Sequence, residues 1–260
     1  MTVSLPWLLR RIRVIVFFGA FVLAVALYAW VFFTIPPSSA RTIRLSEVFA
    51  LMSFALLYFA LLASPFCEAF PQFRFRSVYL TARRALGVSA FFFGLLHASV
   101  SFFRLLGGFA GLAYLSTQYR TAMTLGFLAL CILGALAATS FNTAARLMGK
   151  KWKWLHRLVY LAGVLIMIHA LLLGSHFSDF SAAIPQTFFV ALAVLTLLEA
   201  RRADRALARV YPRCGHCGPS TLFIAALLIG TVFVLVLAPE SRFSLAINGR
   251  HLQQVKQVQQ

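Results

Sequence analysis

The sequence predicts an all-α integral membrane protein with about seven transmembrane helices, and three observations carry that expectation. Of 260 residues, 61% are hydrophobic and 12% charged, whereas soluble domains carry roughly a quarter charged residues. The apolar residues gather in runs about twenty long without heptads. The basic residues between those runs fall mostly on alternate sides of the chain's path. A soluble domain, a disordered chain, collagen and a coiled coil are all excluded, the more so because 27 residues are Phe.

Taken in order, the spans are expected at 14–34, 46–64, 85–105, 121–141, 157–175, 184–199 and 221–238. The first comes after Arg10, Arg11 and Arg13 as a signal peptide would, but its apolar stretch is too long for an h-region, which makes it a retained anchor. The second to fifth have the length a bilayer needs. The sixth is the weakest, because it is short and carries Pro185 near its start; a tilt, or a beginning near Ser181, would accommodate it. The seventh lies between a basic loop and a short polar tail.

Charge gives the orientation. The net charge is +18, from 24 Lys and Arg against six acids. With a cytoplasmic N-terminus, 17 of the 24 fall inside: Arg10, Arg11, Arg13, Arg74, Arg76, Arg83, Arg84, Arg146, Lys150, Lys151, Lys153, Arg157, Arg201, Arg202, Arg205, Arg209 and Arg213. The positive-inside rule therefore predicts the N-terminus in and the C-terminus out. It also makes the basic excess a topology signal, with no nucleic acid as partner. Trp7, Trp152 and Trp154 fall at the expected inner interface and Trp30 at the outer one, as an aromatic belt requires. No repeat or long linker divides the chain, and no Gly-rich phosphate fingerprint follows a strand, so any nucleotide chemistry comes from a partner.

Ionisable groups at bilayer depth are costly and functional by default. The acids Glu47, Glu68, Asp179, Glu199, Asp204 and Glu240 all fall in loops or at span ends, which disfavours a proton-driven transporter or a cation channel. Histidines do lie inside. His97 in the third span and His169 in the fifth each sit about 12 to 13 residues past the inner end of spans running the same way, so both stand some 18–20 Å deep. Two level imidazoles on neighbouring helices suit the two axial positions of a haem, whereas zinc would want four clustered small ligands. The competing reading is that each histidine only hydrogen-bonds a neighbouring helix.

His156, at the inner edge of the fifth span, is a candidate ligand for a second, inner haem. Its depth partner on the third span is Arg83, and guanidinium is a poor iron ligand. Thirteen residues also turn an ideal helix about 140° from the starting face, so His156 needs local distortion or a long reach to share a face with His169. Arg104 lies seven residues beyond His97, two turns outward on the same face, and suits a haem propionate or the outer interface. Arg83 and Arg84 serve an inner propionate or anchor the span.

The run Arg83-Arg84-Ala85-Leu86-Gly87 ending at His97, the block Ala138 to Asn142, the block Gly149-Lys150-Lys151-Trp152-Lys153-Trp154-Leu155-His156-Arg157-Leu158-Val159-Tyr160, and His169 together resemble the ferric reductase-like transmembrane domain family. The likeness is nearest to its MsrQ-like branch, the haem-binding membrane subunits of bacterial periplasmic methionine sulfoxide reductase systems. It covers roughly residues 10–200. It implies a haem-binding four-helix core from spans 2–5 and haem b, one or two, with electrons drawn from quinol or a cytoplasmic flavin reductase, so that flavin or quinone stands at the cytoplasmic side. The family's paired histidines fall on His97 and His169 for the outer haem and on His156 for half of the inner one, whose partner is absent, with Arg83 in its place as in that branch. The seventh span and a cysteine-bearing loop depart from the branch.

The division expected is a haem domain over 1–200, a basic cytoplasmic loop with a CxxC over 201–220, and an extra helix with a short outer tail over 221–260. Cys67 and Cys131 read as small apolar residues. Cys214-Gly215-His216-Cys217 has the spacing of a dithiol or of a partial metal site holding Cys214, His216 and Cys217, against an incidental loop; Gly218 after the second cysteine excludes haem c attachment. His176 and His251 read as solvated outer residues.

The function expected is that of a b-type cytochrome subunit of the bacterial inner membrane. It passes electrons from the cytoplasmic side or the quinone pool through haem to a periplasmic redox enzyme, where the substrate chemistry would lie. The alternatives are a ferric or oxygen reductase core, and a haem-free structural subunit of a larger complex.

Overall fold

The computed structural model describes residues 5–173 and 183–210, and among these every regular element is a helix. They run α1 (Leu5–Thr34), α2 (Ser39–Ala69), α3 (Arg76–Val100), a π-helical turn at Ser101–Leu105, α4 (Phe109–Leu112), α5 (Thr117–Ala138), α6 (Asn142–Met148), α7 (Lys150–Leu173) and α8 (Ala183–Val210). Six stretches are long and apolar enough to cross a membrane: Arg11–Thr34, Ser39–Ala69, Arg76–Leu105, Thr117–Ala138, Lys150–Leu173 and Ala183–Arg205. They coincide with the first six expected spans. The seventh, at 221–238, lies outside the described residues, as do Cys214, His216, Cys217, His176 and His251.

Several ends differ from expectation, for local reasons. The second span begins seven residues early, at Ser39, because Arg41 and Arg44 need no water of their own. The Arg41 Nε donates to the Ile35 carbonyl at 2.7 Å, and Arg44 lies 3.3 Å from Glu47 one turn on. The second span also runs on through Pro65, which is fully buried; membrane helices tolerate the lost hydrogen bond when neighbours cover it. The sixth span is not short. Helix α8 extends 28 residues to Val210, with Pro185 in its first turn, where proline costs no helical hydrogen bond. The first ten residues of the expected 201–220 loop are therefore helical.

The described chain divides into two compact units at Leu173/Gly174. In the first unit α2 packs along α3, α3 against α5, and α5 along α7. Helix α1 packs on α3 and α2, and its Ala20, Ala24 and Val31 join Val48, Phe49 and Phe93 in one buried cluster. That is the behaviour of an integral part of the fold. Small residues let the backbones approach: a β-carbon on Gly94 of α3 would meet Ser53 Oγ of α2 at 3.2 Å, and that hydroxyl donates to the Ala90 carbonyl at 2.8 Å. Large apolar side chains such as Phe18, Phe33, Phe127 and Val164 are exposed, as lipid-facing positions should be.

Two glycine turns redirect the chain at helix ends. Gly107 and Gly108, at φ +74° and +76°, end the π turn, and the Gly108 amide donates to the Phe102 carbonyl at 2.8 Å. Gly149, at φ +52°, ends α6 and lets α7 start at Lys150. All three have the left-handed backbone that glycine adopts without strain.

Candidate functional site

His97 and His169, expected at equal depth from residue counts, meet. Their ring centroids are 6.3 Å apart and their planes cross at 76°. Helix α3 presents the first and α7 the second, although neither helix packs mainly on the other. Each imidazole leans instead on the helix next to its own.

His97 Nδ1 lies 3.0 Å from the Ser46 carbonyl of α2 and 3.0 Å from the Ser46 hydroxyl. Ser46 is 5% exposed, and its hydroxyl sits 2.7 Å from that of Ser101. His169 Nδ1 lies 2.8 Å from the Ala122 carbonyl of α5. A carbonyl only accepts, so Nδ1 carries the proton in both rings and donates it. Nε2 is then left with its lone pair free in both. Ala122 is fully buried, and Gly126, one turn on, has no side chain to hold the ring off the helix: a β-carbon there would be 2.8 Å from Nδ1 and 2.9 Å from Cε1.

The arrangement fits a metal held between two imidazoles. With metal–nitrogen bonds of roughly 2 Å, and about 1 Å more from each Nε2 to its ring centre, two facing rings would have centroids about 6 Å apart, close to the separation here. Histidine ligands characteristically give their other ring N–H to a carbonyl or carboxylate, as both do here. No group of three or more His, Cys, Asp or Glu side chains that could hold a metal ion occurs among the described residues. A closed zinc site is therefore a poor fit, and a ring metallated in its own plane, needing only two axial donors, is a good one.

The N-terminal end of α7 is different. Helix α7 is continuous from Lys150 to Leu173, and His156 lies in its second turn. The His156 ring is stacked on Trp152, with centroids 3.9 Å apart, and its Nε2 is 3.3 Å from the Thr139 hydroxyl. Trp152 Nε1 donates to the Thr139 carbonyl at 2.9 Å, and the Arg84 guanidinium covers the Trp152 ring at 4.6 Å. Arg84 and Arg13 both reach Asn142 Oδ1, at 3.3 and 3.4 Å. Arg83 donates to Ser64 Oγ at 2.7 Å. The structure therefore places His156 beside an aromatic ring and a hydroxyl, and not opposite a second histidine.

Arg104 is exposed just past the C-terminal end of α3. The two full turns expected between it and His97 hold for an ideal α-helix, but Arg104 lies in the π turn, where the Leu106 amide bonds the Ser101 carbonyl. Ser46, Ser101, Ala122, Gly126 and Thr139 were not among the expected site residues. The one sequence signal pointing to any of them is the small pair Ala122 and Gly126, four apart in an apolar span.

The chain is similar to known proteins over much of this first unit. The family described as ferric reductase like transmembrane component matches residues 49–167, a stretch that holds His97 and His156 and stops two residues short of His169. The protein-methionine-sulfoxide reductase heme-binding subunit MsrQ of Cronobacter sakazakii is 34% identical over 152 residues, 58% of this chain and 70% of that protein. MsrQ of Pectobacterium atrosepticum is 36% identical over 152 residues, covering 58% and 71%. MsrQ of Ralstonia nicotianae is 41% identical over 88 residues, 34% of this chain and 41% of its own. No solved structure gives a significant match. With two paired spans carrying level histidines and relatives matched over more than two thirds of their length, the chain belongs to the ferric reductase-like transmembrane family, among the relatives of MsrQ.

Proposed function

We propose that this chain is a haem-binding electron-transfer subunit of a bacterial inner membrane, in which His97 and His169 would hold one b-type haem. The observation that carries the reading is the pair of imidazoles 6.3 Å apart, each with Nδ1 tied to a carbonyl of the adjacent helix. The names of the MsrQ relatives, which describe a heme-binding subunit of a methionine-sulfoxide reductase, support it.

Bound there, haem would supply one-electron chemistry, with His97 and His169 holding it from either side, which suits electron transfer over oxygen binding. The residues do the rest. Ser46 and Ala122 fix which nitrogen of each ring carries a proton, Gly126 admits His169 to its place, and the surrounding apolar helices exclude water. Arg104, just past the C-terminal end of α3, is placed to serve a propionate of this haem, whereas Arg83, about 21 Å from His97 along the helix, bonds Ser64. Electrons enter from the cytoplasmic side, from quinol or a flavin reductase, where Arg84, Trp152 and His156 form the inner edge about 20 Å from His169 along α7. They leave to a periplasmic methionine sulfoxide reductase or a similar redox enzyme, which holds the substrate chemistry. The N-terminus is cytoplasmic, and residues 1–200 form the haem domain.

The test is a reduced-minus-oxidised absorbance spectrum of the detergent-purified chain, with haem counted per polypeptide. Sharp b-type bands at one haem per chain are expected, and both His97→Ala and His169→Ala should abolish them while leaving insertion intact. Unchanged bands in either variant would overturn the ligand assignment. Rapid reoxidation by ferric chelates or oxygen without a periplasmic partner would move the chain to the small-acceptor reductases.

A further inference from the structure

The two ligand rings are held unequally. His169 Nδ1 has one acceptor among the described residues, the Ala122 carbonyl at 2.8 Å. His97 Nδ1 has two, the carbonyl and the hydroxyl of Ser46, each at 3.0 Å. The hydroxyl is in turn 2.7 Å from Ser101, and Ser101 is the residue at which α3 widens into a π turn. Single π turns interrupt helices mostly where a function depends on the altered register. Here the altered register begins at the serine that closes the hydroxyl chain, four residues after the ligand.

Building on the haem reading, we infer that Ser46 and Ser101 are positioning residues for His97 that set the donor strength of its imidazole independently of His169. Nδ1–H is shared between the two Ser46 oxygens. With that proton accepted, the Ser46 hydroxyl points its own hydrogen at Ser101 Oγ. Each bond in such a chain polarises the next, so the pull on Nδ1–H exceeds what the carbonyl alone exerts. Electron density moves to Nε2, and a more basic axial ligand favours ferric over ferrous iron. Ser46 is almost wholly buried, so no bulk water replaces the hydroxyl when it is lost. The second consequence is orientation: two acceptors on one residue hold the plane of the His97 ring at its 76° crossing with His169.

The experiment is an equilibrium redox titration and a low-temperature electron paramagnetic resonance spectrum of the full chain, purified with its haem, for wild type, Ser46→Ala, Ser101→Ala and Ser101→Thr. Ser46→Ala should retain the haem, raise the midpoint potential, and alter the low-spin g values as the ring is released. The expected rise is about tenfold in the reduced-to-oxidised ratio at a fixed poise, which is 59 mV for one electron. Ser101→Ala should shift both in the same direction by less, and Ser101→Thr, which keeps the hydroxyl, should restore wild-type values. If Ser46→Ala loses its haem, the Ser101 pair decides. Potentials and g values unchanged or shifted the other way in Ser101→Ala overturn the inference, as does loss of haem from both alanine variants. A wild-type chain that binds no haem overturns the underlying reading instead, so the two failures are distinct.

Discussion

Gly126 and His169 occupy one space: a β-carbon on the glycine would stand 2.8 Å from Nδ1, 2.9 Å from Cε1 and 3.3 Å from Cγ of the imidazole. The ring lies in a notch on α5 between the Ala122 carbonyl and the bare backbone one turn later, and the 2.8 Å bond to that carbonyl requires it to lie that deep. Gly126→Ala should therefore push the ring out of its bond. We expect haem per polypeptide to fall severalfold with insertion unaffected, since overfilling a packed site costs about 1–3 kcal/mol. Gly134→Ala is the control on the same helix, because its β-carbon would meet the Phe91 ring at 3.2 Å and no histidine. Equal haem content in Gly126→Ala and wild type would show that the imidazole does not need this notch.

The crossed planes of His97 and His169 have a spectroscopic consequence. At 76° the π-donor orbitals of the two imidazoles point at different iron d orbitals and leave them nearly equal in energy. Near-degeneracy gives a strongly anisotropic low-spin ferric signal, whereas parallel rings give a rhombic one. Frozen, oxidised protein should show the first. A rhombic spectrum as the main species would mean that the rings rotate toward one another when they hold iron.

Depth was legible in the sequence and direction was not. Counting residues from the charged span ends put His97 and His169 level, because a helix rises by a fixed amount per residue whatever surrounds it. What each side chain leans on is set by neighbouring helices, and no periodicity within one span records it. Nothing in the sequence ties Ser46 or Gly126 to a histidine, although the first supplies both acceptors of His97 and the second leaves room for the His169 ring. A depth count makes His156 a candidate inner ligand, and no count records that its ring lies against Trp152 and Thr139. Arg104 was placed by assuming an ideal helix, and the π turn at Ser101–Leu105 breaks that assumption. The span beginning at Ser39 is early because Arg41 and Arg44 are satisfied by the Ile35 carbonyl and by Glu47.

His156 supplies the next prediction. Its Nε2 faces a hydroxyl at 3.3 Å and its ring face is covered by Trp152, so the chain should hold one haem without it. His156→Ala should leave haem content and the reduced band unchanged. It should lower the melting temperature modestly, since an aromatic stacking pair is worth about 0.5–1.5 kcal/mol. A fall from two haems to one in this variant would restore His156 as an inner ligand and require a partner donor other than Arg83.

Gly94 tests whether the ligand pair depends on the contact between α2 and α3. Its β-carbon would come 3.2 Å from Ser53 Oγ, and that hydroxyl is committed to the Ala90 carbonyl at 2.8 Å. One added methyl can be absorbed if the hydroxyl turns aside, so Gly94→Ala should keep its haem with a small loss of stability. Gly94→Leu has no such escape, because Leu130 Cδ1 already stands 3.4 Å from the same point on the other side. The larger residue must move α3 away from α2, at a cost of about 1–3 kcal/mol. The motion acts on His97, one turn further along α3, whose Nδ1 takes both its acceptors from α2. Gly94→Leu should thus lose the haem before it loses the fold, read as a chain that still inserts and runs as a single species in detergent but shows no reduced b-type band. Full haem content in Gly94→Leu would mean that His97 keeps its place without the α2 contact, leaving the Ser46 bonds incidental to binding.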